Sequence, residues 1–391
     1  MNAIRLLHVI RTANPSQGGP IEGIRVIAKA MGASNAQLTL ASFDNPNPSW
    51  DLPGVRMAYL GTGLGAYGYR SDAVARLRDL TADHDLAIVH GVWEYVGIAT
   101  RQACRGRIPY VVFPHGSLAP WYKRAYPFKH IKKQCYWLVA EQRVLRDSAA
   151  VCFTCETERL DARNAFWPYR LKEMVVGYGT EQPPESCDKM RDAFLARCPE
   201  AANRPYLLFL SRIHPMKGCD LLIKAFASIS RCNPRLLLVM AGPDHSGIGG
   251  HLRDIATSVG VSESIAWPGE LRGDAKWGAF YGAEAFCLPS HRENFGIAVA
   301  EALGCGLPVL ISDQVNIYPD IVAAGAGLAD KDTVDGTSAL LRHWTQMTPE
   351  RRVSMRSAAL MCFKKNYEVG RAAASHLSTF SGIVRSRQDA S

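Results

Sequence analysis

The sequence predicts an α/β chain of two doubly wound domains, each a parallel sheet covered by helices, facing each other across a cleft. Three observations predict it. Short apolar runs alternate with helical segments along nearly the whole chain, the pattern of βαβ units. The 391 residues are many for one core and normal for two domains. A single stretch, 179–204, interrupts the alternation with Pro183, Pro184 and Pro199, and the linker is placed there.

In the first half, residues 4–10, 36–41, 55–60, 86–90, 110–113, 150–153 and 173–176 read as strands between helical segments. The second half repeats the plan with strands at 206–210, 236–240, 264–267, 285–288 and 308–311. The expected division is 1–182, a linker at 183–204, 205–366, and a final helical segment at 367–391. With 47% hydrophobic and 21% charged residues, the chain should fold throughout. The first apolar run is broken by His8 and Arg11, so it reads as a strand rather than a signal peptide. No run approaches the ~20 apolar residues of a spanning helix. Eleven cysteines without a scaffold spacing fit a reducing cytosol.

The most informative segment is 288–308, LPSHRENFGIAVAEALGCGLP. A strand ends at Leu288-Pro289-Ser290, and Asn294-Phe295-Gly296 opens an apolar helix from Ile297 to Leu303 that closes at Gly304 and Gly306. The amides of such a helix start suit a diphosphate. Glu293 and Glu301 lie seven intervening residues apart, roughly 12 Å along a helix, a span that puts one carboxylate at each end of a bound sugar nucleotide. Taken alone, the pair also fits a helix cap and a solvated face. Upstream, however, strand 206–210 runs into Arg212 and Lys217, two cations at a strand end. In an open α/β sheet that end faces the ligand crevice, where a guanidinium and an ammonium can neutralise a leaving diphosphate.

With these residues in place, the chain resembles the family 4 glycosyltransferases, the retaining group 1 enzymes of the GT-B fold with two Rossmann-like domains, over nearly its whole length. Gly18-Gly19-Pro20 resembles the family's acceptor-side glycine loop, with Gly19 placed in the binding set, and His115 in FPHGSLAPW resembles its active-site histidine. Arg212 and Lys217 match the diphosphate cations. Gly242 in AGPD and Glu270-Leu271 in PGEL fall where the family binds the nucleotide. Glu293 and Glu301 fall on its glutamate pair, the first contacting the donor sugar and the second the ribose, with Asn294, Phe295, Gly296 and Ile297 lining the site. Between the halves, where relatives commonly carry Pro-Asn-Gly-Val-Asp, this chain has Val176-Gly177-Tyr178-Gly179-Thr180-Glu181, so no role of that asparagine carries over. The segment after His115 resembles a bacterial polysaccharide-assembly branch.

Three other motifs compete. Gly63, Gly65 and Gly68 form a literal G-x-G-x-x-G, but the next strand ends in His90 where a ribose-binding acid is expected, so a dehydrogenase is disfavoured. Cys152 and Cys155 form a C-x-x-C in a strand and its exit, without partners at zinc spacing. Asp83-His84-Asp85 precedes a strand, at its wrong end for ligand, and Asp330-Lys331-Asp332 reads as a polar loop, so no metal is expected.

The formal charge of +9 is uneven. Between Trp121 and Arg146, Lys123, Arg124, Lys129, Lys132, Lys133 and Arg143 interleave with Tyr122, Tyr126, Phe128, Tyr136 and Trp137. This points to an anionic membrane surface rather than nucleic acid, for which no binding motif is present. The same pattern also fits a solvated helix with aromatics packed inward. The expectation is a cytoplasmic or peripheral-membrane enzyme that moves a hexose from a UDP- or GDP-sugar to a glycan or polyprenyl-diphosphate-linked acceptor, with no cofactor or metal. His115, Arg212, Lys217 and Glu293 are its catalytic candidates. A sugar-nucleotide epimerase or hydrolase, and a non-catalytic nucleotide-sugar-binding protein, are the alternatives.

Overall fold

The computed structural model describes residues 3–15, 19–32 and 36–389, and all side chains among them except that of Arg124. Gly18 lies outside the described residues. The chain divides into one unit of 1–180 with 369–391 and a second of 181–368.

The first unit runs β1 (Ile4–Ile10), α1 (Gly19–Gly32), β2 (Ala36–Ser42), β3 (Arg56–Tyr59), α2 (Ala73–Thr81), β4 (Leu86–His90), α3 (Tyr95–Cys104), β5 (Tyr110–Phe113), α4 (Trp121–Ala125), α5 (Pro127–Tyr136), α6 (Gln142–Asp147), β6 (Ala150–Phe153), α7 (Glu156–Ala162) and β7 (Glu173–Val175). Its parallel sheet has the order β3-β2-β1-β4-β5-β6-β7, so the winding reverses between β1 and β4. The central strands are buried on both faces, as near-continuous apolar sequences such as LAIV require.

The second unit runs α8 (Asp188–Arg197), β8 (Tyr206–Leu210), α9 (Cys219–Ser230), β9 (Leu237–Ala241), α10 (Gly249–Ser258), β10 (Ile265–Gly269), α11 (Gly273–Gly282), β11 (Ala285–Leu288), α12 (Ile297–Gly304), β12 (Val309–Ser312), α13 (Tyr318–Ala323), β13 (Gly327–Asp330), α14 (Val334–Gln346) and α15 (Pro349–Asn366). Its order, β10-β9-β8-β11-β12-β13, reverses between β8 and β11. The last helix, α16 (Val369–Gln388), belongs to the first unit. It buries Ala372, Ala373 and Phe380 in the core that holds Ile27, Ala28 and Met31 of α1.

Two expectations are corrected. The stretch expected as a linker instead folds into the second unit: α8 lies so close to α11 that a Cβ on Gly278 would meet the Met190 carbonyl at 2.0 Å. Phe194 of α8 also packs on Tyr206, with ring centroids 5.3 Å apart. Asp330 ends a strand rather than lying in a loop. β13 pairs with β12 from Val309–Gly327 to Ser312–Asp330, and Gly327 permits the close approach because a Cβ there would lie 2.3 Å from the Val309 carbonyl.

The competing motifs are absorbed by the fold. The glycine motif closes on itself at the exit of edge strand β3: Leu64 N–H donates to the Tyr69 carbonyl at 2.7 Å, and a Cβ on Gly63 would strike the Gly68 carbonyl. Cys152 is buried in β6. Cys155, expected in a plain strand exit, caps α7 by accepting the Glu158 N–H at its Sγ, and burial pushes both thiols up to about 12. That suppresses the thiolate on which redox chemistry depends.

Candidate active site

The second unit gathers its site residues at the carboxyl ends of β8 and β11, where the winding reverses and a doubly wound sheet opens a crevice. Glycines make the gathering sterically feasible. Gly218, at φ +66°, caps α9 with its Cα against the Pro289 carbonyl, where a Cβ would come within 2.0 Å. Gly242 follows β9 at φ +146°, and a Cβ there would lie 1.7 Å from the Ser211 carbonyl. Hydrogen bonds then join the β8 and β11 loops. Ser290 Oγ donates to the Met216 carbonyl at 2.9 Å, and His291 N–H donates to the same oxygen at 2.8 Å.

Within this frame Lys217, the last residue of the one-turn 3-10 helix Pro215–Lys217, forms an ion pair with Glu293. The two side chains are 10% and 20% exposed, so most of the pair is withdrawn from water. A pair so shielded gives little net stability, whereas removing one partner strands the other charge. Arg212 is exposed, and its guanidinium has no hydrogen bond or ion pair among the described residues. The loop is electropositive: burial first, then Arg212 and Lys217, holds the His214 imidazole below its ordinary range.

α12 begins where the sequence places it, but Glu293 lies before it rather than along it. Its N–H donates to the Gln314 carbonyl at 3.0 Å and its carbonyl accepts from Asn316 N–H at 3.0 Å, fixing it beside the β12 loop. Gly296 at φ +75° is the N-cap, and a Cβ there would press on the Glu293 side chain at 3.1 Å. The first two amides of α12, Ile297 and Ala298, therefore have no backbone acceptor among the described residues, whereas Val299 N–H already turns back to the Gly296 carbonyl at 2.8 Å. Phe295 points the other way. It is buried and packs edge-on against Tyr367 at 5.7 Å.

Glu301 is buried on α12 and pairs with Lys276 of α11 at 2.7 Å, whose ammonium also lies 4.2 Å from the centre of the Trp277 ring. Lys276 was not legible as a site residue, since a lone lysine in GDAKWGAF carries no motif. Glu270 is exposed and pairs with Arg272 at 2.8 Å, and Leu271 is buried beneath it. Asn294 takes the Asn316 amide at 3.2 Å. Each aspartate motif is engaged with a cationic or imidazole partner: Asp85 holds Arg5 at 2.8 Å, and Asp332 holds His291 of the β11 loop at 2.8 Å.

Two family models match in chain order, the glycosyl transferase 4-like domain over residues 18–179 and glycosyl transferases group 1 over 191–360. The chain belongs to the group 1 glycosyltransferases. Among relatives of this family, a D-inositol 3-phosphate glycosyltransferase of Frankia alni is 29% identical over 314 residues, covering 74% of this chain and 72% of that protein. One from Salinispora arenicola is 29% identical over 188 residues, but the match covers only 44% of this chain and 41% of the relative. The chain thus spans less than two thirds of the length of the first relatives it matches. The GT-B fold is shared with solved structures: Anabaena HepE, crystallised with UDP and glucose, superposes with a TM-score of 0.75 at 18% identity over 97% of this chain and 99% of its own. The lipopolysaccharide glycosyltransferase WaaG superposes at 0.65 and 14% identity, covering 97% of this chain and 100% of its own.

The remaining site candidates, Gly19 and His115, lie in the first unit. Gly19 is the first residue of α1, and its carbonyl accepts from the Tyr178 hydroxyl at 3.4 Å. His115 follows β5 at φ +48°, a left-handed conformation unusual for a side-chain-bearing residue and a frequent mark of functional sites. Buried Glu158 holds this turn, accepting from Gly116 N–H at 2.6 Å and from Thr154 N–H at 2.8 Å. The His115 ring stands edge-on to Tyr178, whose hydroxyl would overlap any Cβ on Gly23. The departure from the family's linker sequence therefore places a tyrosine beside His115.

Proposed function

We propose that the protein is a retaining hexosyltransferase using a UDP- or GDP-sugar, with a hydroxyl of a glycan or polyprenyl-diphosphate-linked acceptor as the second substrate. The observation that carries this reading is the shielded Lys217–Glu293 pair beside the open amides of α12 at the β8/β11 reversal. A cation and a carboxylate meeting at one point match a donor's anomeric junction, where phosphate oxygens meet sugar hydroxyls. HepE, with the same fold, was crystallised with UDP-glucose, which favours this class of donor.

In this mechanism the bond between the anomeric carbon and the diphosphate oxygen breaks, and that oxygen keeps the electron pair. Lys217, Arg212 and the amides of Gly296 and Ile297 stabilise the departing charge. The acceptor hydroxyl attacks on the same face, and its proton passes to the departing oxygen. Glu293 orients donor hydroxyls, Glu301 the ribose, and His115 the sugar or acceptor. No enzyme nucleophile is required. The test is product analysis with a panel of UDP- and GDP-hexoses, with and without acceptor, by mass spectrometry and proton NMR. An acceptor-dependent glycoside with the donor's anomeric configuration supports the proposal. An inverted product, free sugar or an epimerised nucleotide overturns it.

Metal independence belongs to the same proposal, supported by protein cations at the diphosphate position and by the engagement of Asp85 and Asp332 with Arg5 and His291. Turnover is expected to survive excess EDTA unchanged. Loss on chelation with recovery on adding Mn or Mg contradicts it.

The membrane role we assign to the segment from α4 to α6, residues 121–147, rests on what it exposes. Trp137 packs inward, and Tyr136 points its hydroxyl to Tyr67 at 2.7 Å, yet Phe128 is 86%, Ile131 61% and Val139 64% exposed. Trp167, 77% exposed, is fastened to α5 by a two-way hydrogen bond with Gln134. Exposed Lys123, Lys129, Lys132 and Arg143 share the run, the composition of a surface that dips into anionic headgroups. No described helix is long and apolar enough to cross a membrane. Co-sedimentation with phosphatidylglycerol-containing vesicles is expected, with weaker binding to phosphatidylcholine alone and on Phe128→Ser with Ile131→Ser. Equal partitioning of wild type and variant counts against this surface.

A further inference from the structure

The first unit contains a buried row of histidines of which the reaction described above uses only His115. It runs across the ends of three adjacent strands, β1, β4 and β5, at the β1/β4 reversal. His8 on β1 places Nδ1 2.9 Å from Nε2 of His90 at the end of β4, and His90 Nδ1 lies 3.0 Å from Nε2 of His115 after β5. The ring planes of neighbouring members lie within 18° of parallel, with centroids 5.1 and 5.3 Å apart. Phe113 and His376 of α16 close the row, and His376 Nε2 is bonded to the Gly177 carbonyl at 3.1 Å. At the far end, His8 is 3% exposed and its Nε2 has no hydrogen-bond partner among the described residues.

Burial first, then neighbouring histidines, holds His8 down at about 3, His115 at about 4 and His90 well below its ordinary value, so all three rings are neutral near pH 7. A neutral imidazole has one N–H and one bare nitrogen. His90, bonded at both nitrogens, must donate one way and accept the other, so the three rings can only point their protons in the same direction. If the chain ran from His115 to His8, a buried N–H would be left without an acceptor at His8 Nε2. A buried donor without a partner is rarer than a buried acceptor without one. The opposite direction leaves only a bare nitrogen there, and it puts the proton of every ring on Nδ1.

We infer that His8 and His90 are positioning residues that lock His115 as its Nδ1–H tautomer, so that His115 meets its substrate as a hydrogen-bond donor. The substrate group it recognises is therefore an acceptor, a sugar ring or hydroxyl oxygen rather than a hydroxyl proton. The last step rests on the proposed placing of His115 at the sugar or acceptor, whereas the tautomer does not.

The experiment is nitrogen NMR of the full chain labelled at histidine, with assignments from single His→Asn variants. At pH 7, His8, His90 and His115 should each show a protonated Nδ1 and a bare Nε2. A protonated Nε2 on any of the three, or an imidazolium, overturns the inference. In folded His8→Phe, where the first donor is gone, His115 should become a mixture of tautomers and kcat should fall about tenfold with nucleoside diphosphate affinity unchanged. His8→Asn, whose amide can replace the lost donor, should restore both. Equal loss in the two variants would make His8 a packing residue only. Failure of the proposed role of His115 has a separate signature: wild-type turnover in His115→Leu while His8 and His90 keep their signals.

Discussion

Lys217→Ala is expected to lower turnover by about a hundredfold or more, the scale of losing one preorganised donor to developing charge. Arg212→Ala should fall in the same range, but the two losses differ in origin. Arg212 is exposed, so its removal takes away charge and little else. Lys217 holds Glu293 at the strand ends, so its removal also leaves a largely shielded carboxylate without its cation, beside the position of the diphosphate. The Lys217 variant should therefore be the more damaged of the two. Steady-state kinetics on both purified, folded variants with the identified donor is the check. Near-normal turnover in both would remove the diphosphate site from the account.

The two glutamates should separate by kinetic class. Glu301→Gln is expected to weaken nucleotide binding, because a ribose contact is made equally by free nucleotide and donor, and such a uniform loss raises KM more than it lowers kcat. Glu293→Gln should lower kcat with little change in affinity for the bare nucleoside diphosphate, if its carboxylate acts on the sugar as charge develops. The structure sharpens the contrast. Glu293 precedes α12 and meets Lys217 of the β8 loop, whereas Glu301 lies within α12 and meets Lys276 of α11. They answer to different cations on different elements. Calorimetric titration of UDP and GDP into each variant, beside steady-state kinetics, tests the assignment. Lost nucleotide affinity in Glu293→Gln with retained affinity in Glu301→Gln would reverse it.

What the sequence made legible follows from where the forces are local. α12 could be placed because Gly296 and Gly304 bracket an apolar run interrupted only by Glu301, and Lys217 because it follows a strand of five apolar or aromatic residues. Glu293 was misplaced onto the helix because what keeps it outside is long-range: the 289–296 loop is tied to Met216 and to Gln314 by hydrogen bonds that no spacing announces. α8 was misread as linker because its helix buries only Met190 and Phe194, too thin a stripe to stand out between prolines. β13, GLAD, lacks the β-branched and aromatic residues that mark strands and owes its pairing to the close approach at Gly327. The histidine row was invisible for a simpler reason. His8 lies on β1, His90 ends β4 and His115 follows β5, and they become neighbours only through the sheet order.

The central claim, that the Lys217–Glu293 corner is a nucleoside diphosphate sugar site, is tested most directly by calorimetric titration of UDP and GDP into the wild-type protein and into Lys217→Ala. One of the two nucleotides should bind the wild type at a single site, and its affinity for the folded variant should be at least about tenfold weaker, the scale of one lost charge-assisted hydrogen bond. Binding of neither nucleotide to the wild type, or equal binding to wild type and variant, would contradict the account.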